Sequence, residues 1–259
     1  MDPAEIQRVL RDLNIPGVHY FKETDSTNTQ AISWALSGAQ EYSLVLAEAQ
    51  TAGRGRSRRK WVTTPGASLA FSIIMHPSHL EKKKLGLFSL LGGYSVREVL
   101  EHHYQIRSQV KWPNDVLIEN KKAAGVLAEA AWQGNELHGV ILGIGVNLLA
   151  PSVPPPGDLI FPATCIKAHT RIEIKPLEFL TFLVDALIRN RKELITRDFI
   201  RRYEQHLAYK GQTITIDTGK GEQYSGFLRG VDNDGRIIIL PENGDLLKFP
   251  IGDVRLRSK

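Results

Sequence analysis

One cysteine, Cys165, serves the whole 259-residue chain. That count excludes an internal disulfide framework and Cys-rich metal centres, and it suits a reducing cytoplasm. No segment approaches the roughly eighteen unbroken apolar residues of a membrane span. The opening residues, MDPAEIQRVLRDL, lack the basic and then apolar regions of a secretory signal. The expectation is therefore a cytoplasmic protein with no membrane partner. Several catalytic signatures are missing too: G-x-x-x-x-G-K-[ST], H-E-x-x-H and G-x-S-x-G do not occur, which excludes a P-loop, a zincin helix and a nucleophile elbow. Neither glycine pair is a dinucleotide fingerprint, because Gly53-x-Gly55 has Arg58 and Gly143-x-Gly145 has Leu148 where the third glycine would fall. Cys165 has no histidine motif beside it and reads as a small packed residue.

What is present begins with charge. The net +5 is uneven: from Gly211 onward seven basic and seven acidic residues cancel, so the excess lies before that point. Five cations (Arg54, Arg56, Arg58, Arg59, Lys60) share the ten residues 51–60 with Gly53 and Gly55. Like charges so crowded need an anionic partner to offset their repulsion. The glycines let backbone come close to a ligand, and Trp61 next to them offers a flat face for stacking. Phosphate, and with the aromatic a nucleotide, is the ligand such a loop suits. Further basic residues (Arg189, Arg191, Lys192, Arg201, Arg202) fall in a helical stretch and read as a solvated face.

With 42% hydrophobic residues, the chain can bury one large domain and a small one. Apolar spacing predicts helices over 3–13, 29–36 (capped by Asp25 or Ser26), 85–104, 176–190 and 199–207. Strands are predicted over 18–23, 43–50, 68–75, 109–112, 116–118, 124–131 and 140–149, the last apolar enough to be covered on both sides. Pro151 to Pro156 reads as a loop. After Gly211 short β-rich runs divided by TGKGE, DNDG and ENGD predict a small all-β barrel. The expected organisation is α+β: a mixed sheet flanked by helices over 1–210, then an SH3-like barrel over 211–259.

Three clusters carry polar chemistry. Lys111-Trp112-Pro113-Asn114-Asp115 presents a cation, an amide and a carboxylate at a strand end. Lys122 stands at the start of an apolar, Gly-containing strand. Gly143-Ile144-Gly145-Val146-Asn147 puts an amide in a buried strand, where an unpaired group would cost about 1–3 kcal/mol and a ligand could supply the partner.

Together with DSTN at 25–28, EAQTAGRGR at 48–56, KW at 60–61 and K-x-x-G-[IV]-L at 122–127, these clusters resemble the biotin protein ligase family, in order and spacing, from about residue 19 to the end. The resemblance implies a class II synthetase-like catalytic domain and two steps: biotin and MgATP form biotinyl-5′-AMP, and a lysine of a biotin carboxyl carrier domain then takes the biotin. It assigns catalysis to Lys122 and Arg56. Ser26, Thr27, Asn28, Gln50, Gly53, Arg54, Gly55, Arg56, Lys122, Gly143 and Gly145 would bind biotin. Arg54, Arg56, Trp61, Lys111, Asn114 and Asn147 would hold ATP and the adenylate, with Asp115 near Mg2+ or the incoming lysine. Family members often dimerise edge to edge, so a homodimer is expected. About eighteen residues precede the matching region, too few for a helix-turn-helix, so a DNA-binding regulator is not expected.

Two rivals remain at this stage: a lipoate ligase or octanoyl transferase on a related fold, against which GRGR and KWPND speak, and a basic nucleic-acid-binding module gripping backbone phosphate. Arg58 departs from the family's GRGRxGRxW pattern, which has glycine there, and arginine adopts positive φ less readily. Arg58→Gly is expected to change adenylate release more than ATP binding; equal dissociation rates in the two proteins, measured by stopped-flow, would contradict this.

Overall fold

Strand alternation decides which residues face the site, because successive side chains of a strand point to opposite faces of its sheet. The computed structural model describes residues 3–155, 162–219 and 221–256, without the Arg58 side chain. Five α-helices, α1 (Pro3–Arg11), α2 (Thr27–Leu36), α3 (Leu87–Tyr104), α4 (Pro176–Arg191) and α5 (Arg197–Gln205), accompany twelve strands among those residues. The first seven strands are β1 (Val18–Thr24), β2 (Leu44–Gln50), β3 (Ser68–Met75), β4 (Gln109–Lys111), β5 (Asp115–Ile118), β6 (Lys121–Gln133) and β7 (Glu136–Asn147). They form one sheet in the order β1-β2-β3-β7-β6-β5-β4. Only β1 and β2 run parallel; the other pairs are antiparallel. The sheet is mixed and flanked by helices, as expected.

β3, β7 and β6 make the centre. On one face Leu69, Phe71, Ile73, Leu142, Ile144, Val146 and Val126 pack in the main core with α3 and α4. Gly92 on α3 is required there: a Cβ on it would lie 2.7 Å from Val126 Cγ1. On the other face α2 packs through Ala31 and Ala35 against Val45, Ile74 and Ile141. The same face carries two successive rows, Ala70–Gly145–Gly125 and Ser72–Gly143–Leu127, with Asn147 one step further along β7. The G-x-G spacing thus places two glycines on one face, and the sheet there is bare backbone.

Ser26 is the N-cap of α2, but its side chain makes no capping bond; Asp25 Oδ1 instead accepts from the Ser26 amide at 2.6 Å and from Gln30 Nε2 at 3.0 Å. The Ser26 hydroxyl is left for the cavity described below. Predicted β6 and β7 are each longer than the spacing suggested, because both continue beyond the apolar run into a hairpin whose turn is made by Gly134 at φ 59°. Pro156, the last residue of the proline segment, lies with 157–161 outside the described residues.

The last five strands, β8 (Thr213–Asp217), β9 (Gln223–Val231), β10 (Ile237–Leu240), β11 (Leu247–Phe249) and β12 (Asp253–Leu256), form an antiparallel sheet in the order β11-β10-β9-β8-β12. Among the described residues β11 and β12 are the two outer strands and are not hydrogen-bonded to each other. Ile214, Ile216, Leu228, Val231, Ile237, Ile239 and Val254 bury its apolar face in the main core. Trp112, 2% exposed, donates from Nε1 to the Gly235 carbonyl at 2.8 Å and joins the two sheets. No helix among the described residues is long and apolar enough to cross a membrane.

Trp112→Phe removes that donor and leaves a buried carbonyl unpaired. The expected loss of stability is about 1–3 kcal/mol, read from urea unfolding monitored by far-UV circular dichroism.

Candidate active site

The bare sheet face is the floor of a cavity of about 860 Å³. At one end Trp61 lies on the Gly145–Gly125 row: a Cβ on Gly145 would fall 2.2 Å from Trp61 Cε2, and one on Gly125 3.2 Å from Cζ3. At the other end Asn28 occupies the space above Gly143, whose Cβ would meet Asn28 Oδ1 at 2.0 Å. Both ends of the glycine floor are therefore fixed by close approach of a side chain. The indole Nε1 of Trp61 is buried without a hydrogen-bond partner.

Polar groups around Asn28 form a chain. Ser72 Oγ lies 2.6 Å from Asn28 Oδ1 and 2.8 Å from Thr27 Oγ1. Gln50 Oε1 accepts from the Thr27 backbone amide at 2.8 Å and the Thr27 hydroxyl at 3.2 Å, while the Gln50 backbone N–H donates to Thr63 Oγ1 at 2.7 Å. Asn28 Nδ2 donates to the Leu127 carbonyl at 3.2 Å and to Glu129 Oε2 at 2.7 Å. Fixed donors and acceptors of this kind can read a small polar ring by shape and hydrogen bonding.

The opposite wall is cationic. Lys122 Nζ sits 2.6 Å from Asp115 Oδ1, and Lys111 Nζ 3.6 Å from Asp115 Oδ2. Lys122 Nζ also stands 5.7 Å from the centroid of the Trp61 ring. Its backbone is held by a segment after the proline loop: the Lys122 amide donates to the Pro162 carbonyl at 2.7 Å, and the Thr164 amide donates to the Lys122 carbonyl at 2.9 Å. Asn147 Nδ2 donates to the Thr164 carbonyl at 3.1 Å, so this buried amide has a protein partner that the sequence did not reveal. Asn114 donates from Nδ2 to the Val126 carbonyl at 2.8 Å and accepts from Arg56 Nη1 at 3.2 Å.

The Gly/Arg loop is a short hairpin. The Trp61 amide donates to the Gly53 carbonyl at 2.9 Å and the Gly55 amide to the Arg59 carbonyl at 2.7 Å, with Arg54 bridging Lys60 between them. Gly53 is fixed by contact, since a Cβ there would lie 2.3 Å from the Trp61 carbonyl oxygen. At the tip the left-handed residue is Ser57 (φ 53°, ψ 42°), while the Arg58 backbone keeps helical φ/ψ, so in this form of the loop no positive φ falls on the arginine that departs from the family pattern. Three of the loop's cations are paired within the protein: Arg54 with Glu129 at 3.0 Å, Arg56 with the Gly252 carbonyl at 3.3 Å and Asp253 at 3.8 Å, and Arg59 with Asp253.

Of the residues singled out from the sequence, Ser26, Thr27, Asn28, Gln50, Arg54, Gly55, Arg56, Trp61, Lys111, Asn114, Asp115, Lys122, Gly143, Gly145 and Asn147 all line this one cavity; Gly53 stands at the base of its hairpin wall. The sequence reading missed Ser72, Glu129, Thr164 and Asp253. Ser72 could have been found by strand alternation, two places along β3 from Ala70. Glu129 follows the same alternation, four places along β6 from Gly125, whereas Thr164 and Asp253 carry no motif. Asp115 was expected near Mg2+, yet both its oxygens face ammonium groups, and among the described residues no three His, Cys, Asp or Glu side chains gather as a metal cage. These residues do not fit a resident magnesium ion.

Burial opposes ionisation of Asp115, but Lys122, Lys111 and Arg56 together outweigh it and hold the carboxyl below its ordinary 3.8. Burial pulls the Lys111 ammonium and the Arg56 guanidinium below their usual values, against the pull of Asp115. Because the folded-state pKa of Asp115 is depressed, its stabilisation is complete above the unfolded value and is lost as pH falls through the folded one. Asp115→Asn should cost about 2 kcal/mol at neutral pH, less than for a fully buried pair because Lys122 reaches solvent. The gap between the two proteins should shrink below pH 3.8, as urea titrations at a series of pH values would record.

Residues 20–147 match the biotin/lipoate A/B protein ligase family. A biotin–[acetyl-CoA-carboxylase] ligase of Paracoccus denitrificans is 35% identical over 224 residues, spanning 83% of this chain and 91% of that protein. A bifunctional ligase/repressor of Bacillus subtilis is 28% identical over 92% of this chain and 73% of its own length. The structure of a biotin protein ligase from Aquifex aeolicus in complex with biotin and ATP superposes with a TM-score of 0.78 at 28% identity, covering 94% of this chain and all of that one. By sequence, fold and the residues gathered on the glycine floor, the chain belongs to the biotin protein ligase family.

Proposed function

We propose that this protein is an ATP-dependent biotin protein ligase, which activates biotin as biotinyl-5′-AMP and passes it to one lysine of a biotin carboxyl carrier domain. The observation that carries the reading is the convergence of Lys111, Lys122, Arg54 and Arg56 over a floor of glycines inside one cavity. Two anions, the biotin carboxylate and the α-phosphate of ATP, must be brought into contact there. Positioned cations offset that repulsion, and such electrostatics usually supply the largest part of a rate enhancement.

In the first step a biotin carboxylate oxygen forms a bond to the α-phosphorus as the bond to the bridging oxygen of the β-phosphate breaks, and pyrophosphate leaves. Lys122 bridges carboxylate and α-phosphate and stabilises the charge that builds between them. Arg56, with Arg54, covers the phosphate and excludes water. Gln50, Ser26, Thr27 and Asn28 read the ureido ring with Gly55 on the loop above, while Gly53, Gly143 and Gly145 serve biotin indirectly, by giving Trp61 and Asn28 the room to line its space. Trp61 stacks on adenine, with Lys111, Asn114 and Asn147 along the nucleotide. Magnesium enters with ATP as part of the substrate, held chiefly by phosphate oxygens, as is usual for this ion. In the second step the neutral amine of the acceptor lysine attacks the acyl carbon and AMP leaves. No covalent enzyme intermediate is needed, in keeping with the absence of an activated nucleophile from the sequence motifs; Cys165 is buried.

The reading extends to a division at 210/211 into a catalytic domain and an SH3-like C-terminal domain, to a cytoplasmic site of action, and to a homodimer formed by sheet edges. β1 ends the seven-strand ladder and offers such an edge.

Pyrophosphate release should depend on biotin, and biotin should appear on an added carrier domain. Lys122→Ala should lower the first step by about 10²–10³-fold. If that substitution left both steps unchanged, the role given to Lys122 would fall. Release that responded to lipoate and not to biotin would replace the substrate, and salt-sensitive duplex binding without pyrophosphate release would replace the reading.

A further inference from the structure

Glu129 belongs to none of the motifs, yet two parts of the site meet on it. It lies on β6 at the same-face spacing as Gly125 and Leu127, beyond the glycine floor. One carboxylate oxygen, Oε2, accepts from Asn28 Nδ2 at 2.7 Å and from Arg54 Nη2 at 3.0 Å. Asn28 cannot turn to release it. The residue is 3% exposed, Ser72 holds its Oδ1, and the amide fills the space above Gly143. Arg54, by contrast, has a side chain 44% exposed and sits on the hairpin. Glu129 therefore has a fixed neighbour on the cavity floor and a movable one on the loop. It also lines a second cavity, about 850 Å³, on the far side of the same hairpin, together with Leu85, Pro113 and Ile251. The Gly/Arg loop is a partition between the two spaces, and Glu129 stands where that partition meets the floor.

We propose that Glu129 is a positioning residue: it latches the Gly/Arg loop to Asn28, and so couples the polar end of the cavity to the cationic wall. An exposed ion pair alone contributes little, because ordering two long side chains offsets the attraction. Here one of them is already ordered by Asn28, so less freedom is lost when Arg54 docks. Removing the charge while keeping an oxygen for Asn28 should free the loop without disturbing the floor.

Glu129→Gln makes that change. The loop can be read directly, since trypsin cuts after arginine and lysine, and Arg54, Arg56, Arg58, Arg59 and Lys60 lie in it. In the ligand-free protein cleavage within 51–60 should become about two- to five-fold faster, the change in open population that one half-exposed ion pair supports. The melting temperature should move little. Glu129→Asp, which keeps the charge on a shorter arm, should recover part of the protection. Where Glu129→Gln fails to fold, Arg54→Gln reads the same contact from the loop side through cuts at Arg56, Arg58, Arg59 and Lys60.

A second measurement rests on the ligase reading. With biotin, ATP and a carrier domain, the E129Q variant should release more pyrophosphate per biotin transferred than the parent, because a freer loop lets adenylate escape. A general loss of stability would lower both quantities together and leave their ratio unchanged. Equal cleavage rates in parent and E129Q overturn the latch, as does an unchanged ratio. No turnover of biotin by the parent would refute the ligase reading, while the ligand-free cleavage rates would still decide the latch.

Discussion

Concentrated positive charge is the constraint around which the site is built. Lys111, Lys122, Arg54, Arg56 and Arg59 converge on one cavity, and in an empty protein they would repel one another. Three carboxylates from three elements prevent this. Asp115 on β5 faces Lys122 and Lys111, Glu129 on β6 takes Arg54, and Asp253 on β12 takes Arg59 with Arg56 close by. The cations are thereby held near one another before any anion arrives. Asp115 is the most deeply buried of the three, 7% exposed, and it keeps its charge only because the lysines outweigh the cost of burial. Preassembled cations need no reorganisation when charge develops on a substrate, which is what makes them effective.

Charge alone would not make a binding site; it also needs a surface that a flat ligand can approach. The central strands provide it by omission. Gly125, Gly143 and Gly145 fall on the same face in adjacent rows, and their missing side chains leave room for Trp61 and Asn28. On the reverse face the same strands are densely apolar against α3 and α4. A strand that is Gly-rich on one side is weakened by entropy and lost packing. The main core on the other side offsets that weakness.

Much of this arrangement was legible in the chain. β3 is Ser68–Met75 as its apolar run indicated, and α4 starts at Pro176, where proline is suited to a first helical position. The residues chosen from the motifs gather round one cavity because each motif sits at a strand end or hairpin beside the central strands. What the sequence concealed was long-range pairing. The loop's repulsion suggested an anionic ligand, yet Glu129 and Asp253 already neutralise part of it, and a contact between Arg56 and Gly252 spans 196 positions. Asn147 looked as though it lacked a partner, and the Thr164 carbonyl supplies one. Nothing local to these residues announces such contacts. The C-terminal strands were placed correctly as short β runs, but their pairing order, β11-β10-β9-β8-β12, is set by long-range contacts that composition does not specify.

The C-terminal sheet is more than an appended module, because it holds one side of the Gly/Arg hairpin. Arg54 anchors the hairpin to β6, whereas Arg56 and Arg59 anchor it to Gly252 and Asp253 at the start of β12. Trp112 ties the same sheet to the strand end that carries Lys111, Asn114 and Asp115. A shift of β12 relative to β5 would therefore move the loop's arginines away from the lysines they face. Opening the hairpin requires both anchors to give way, on one side from the central sheet and on the other from the small one. That double attachment explains why a glycine-bearing segment with five cations adopts one ordered hairpin, and why the residues that steady it lie so far from it in the chain.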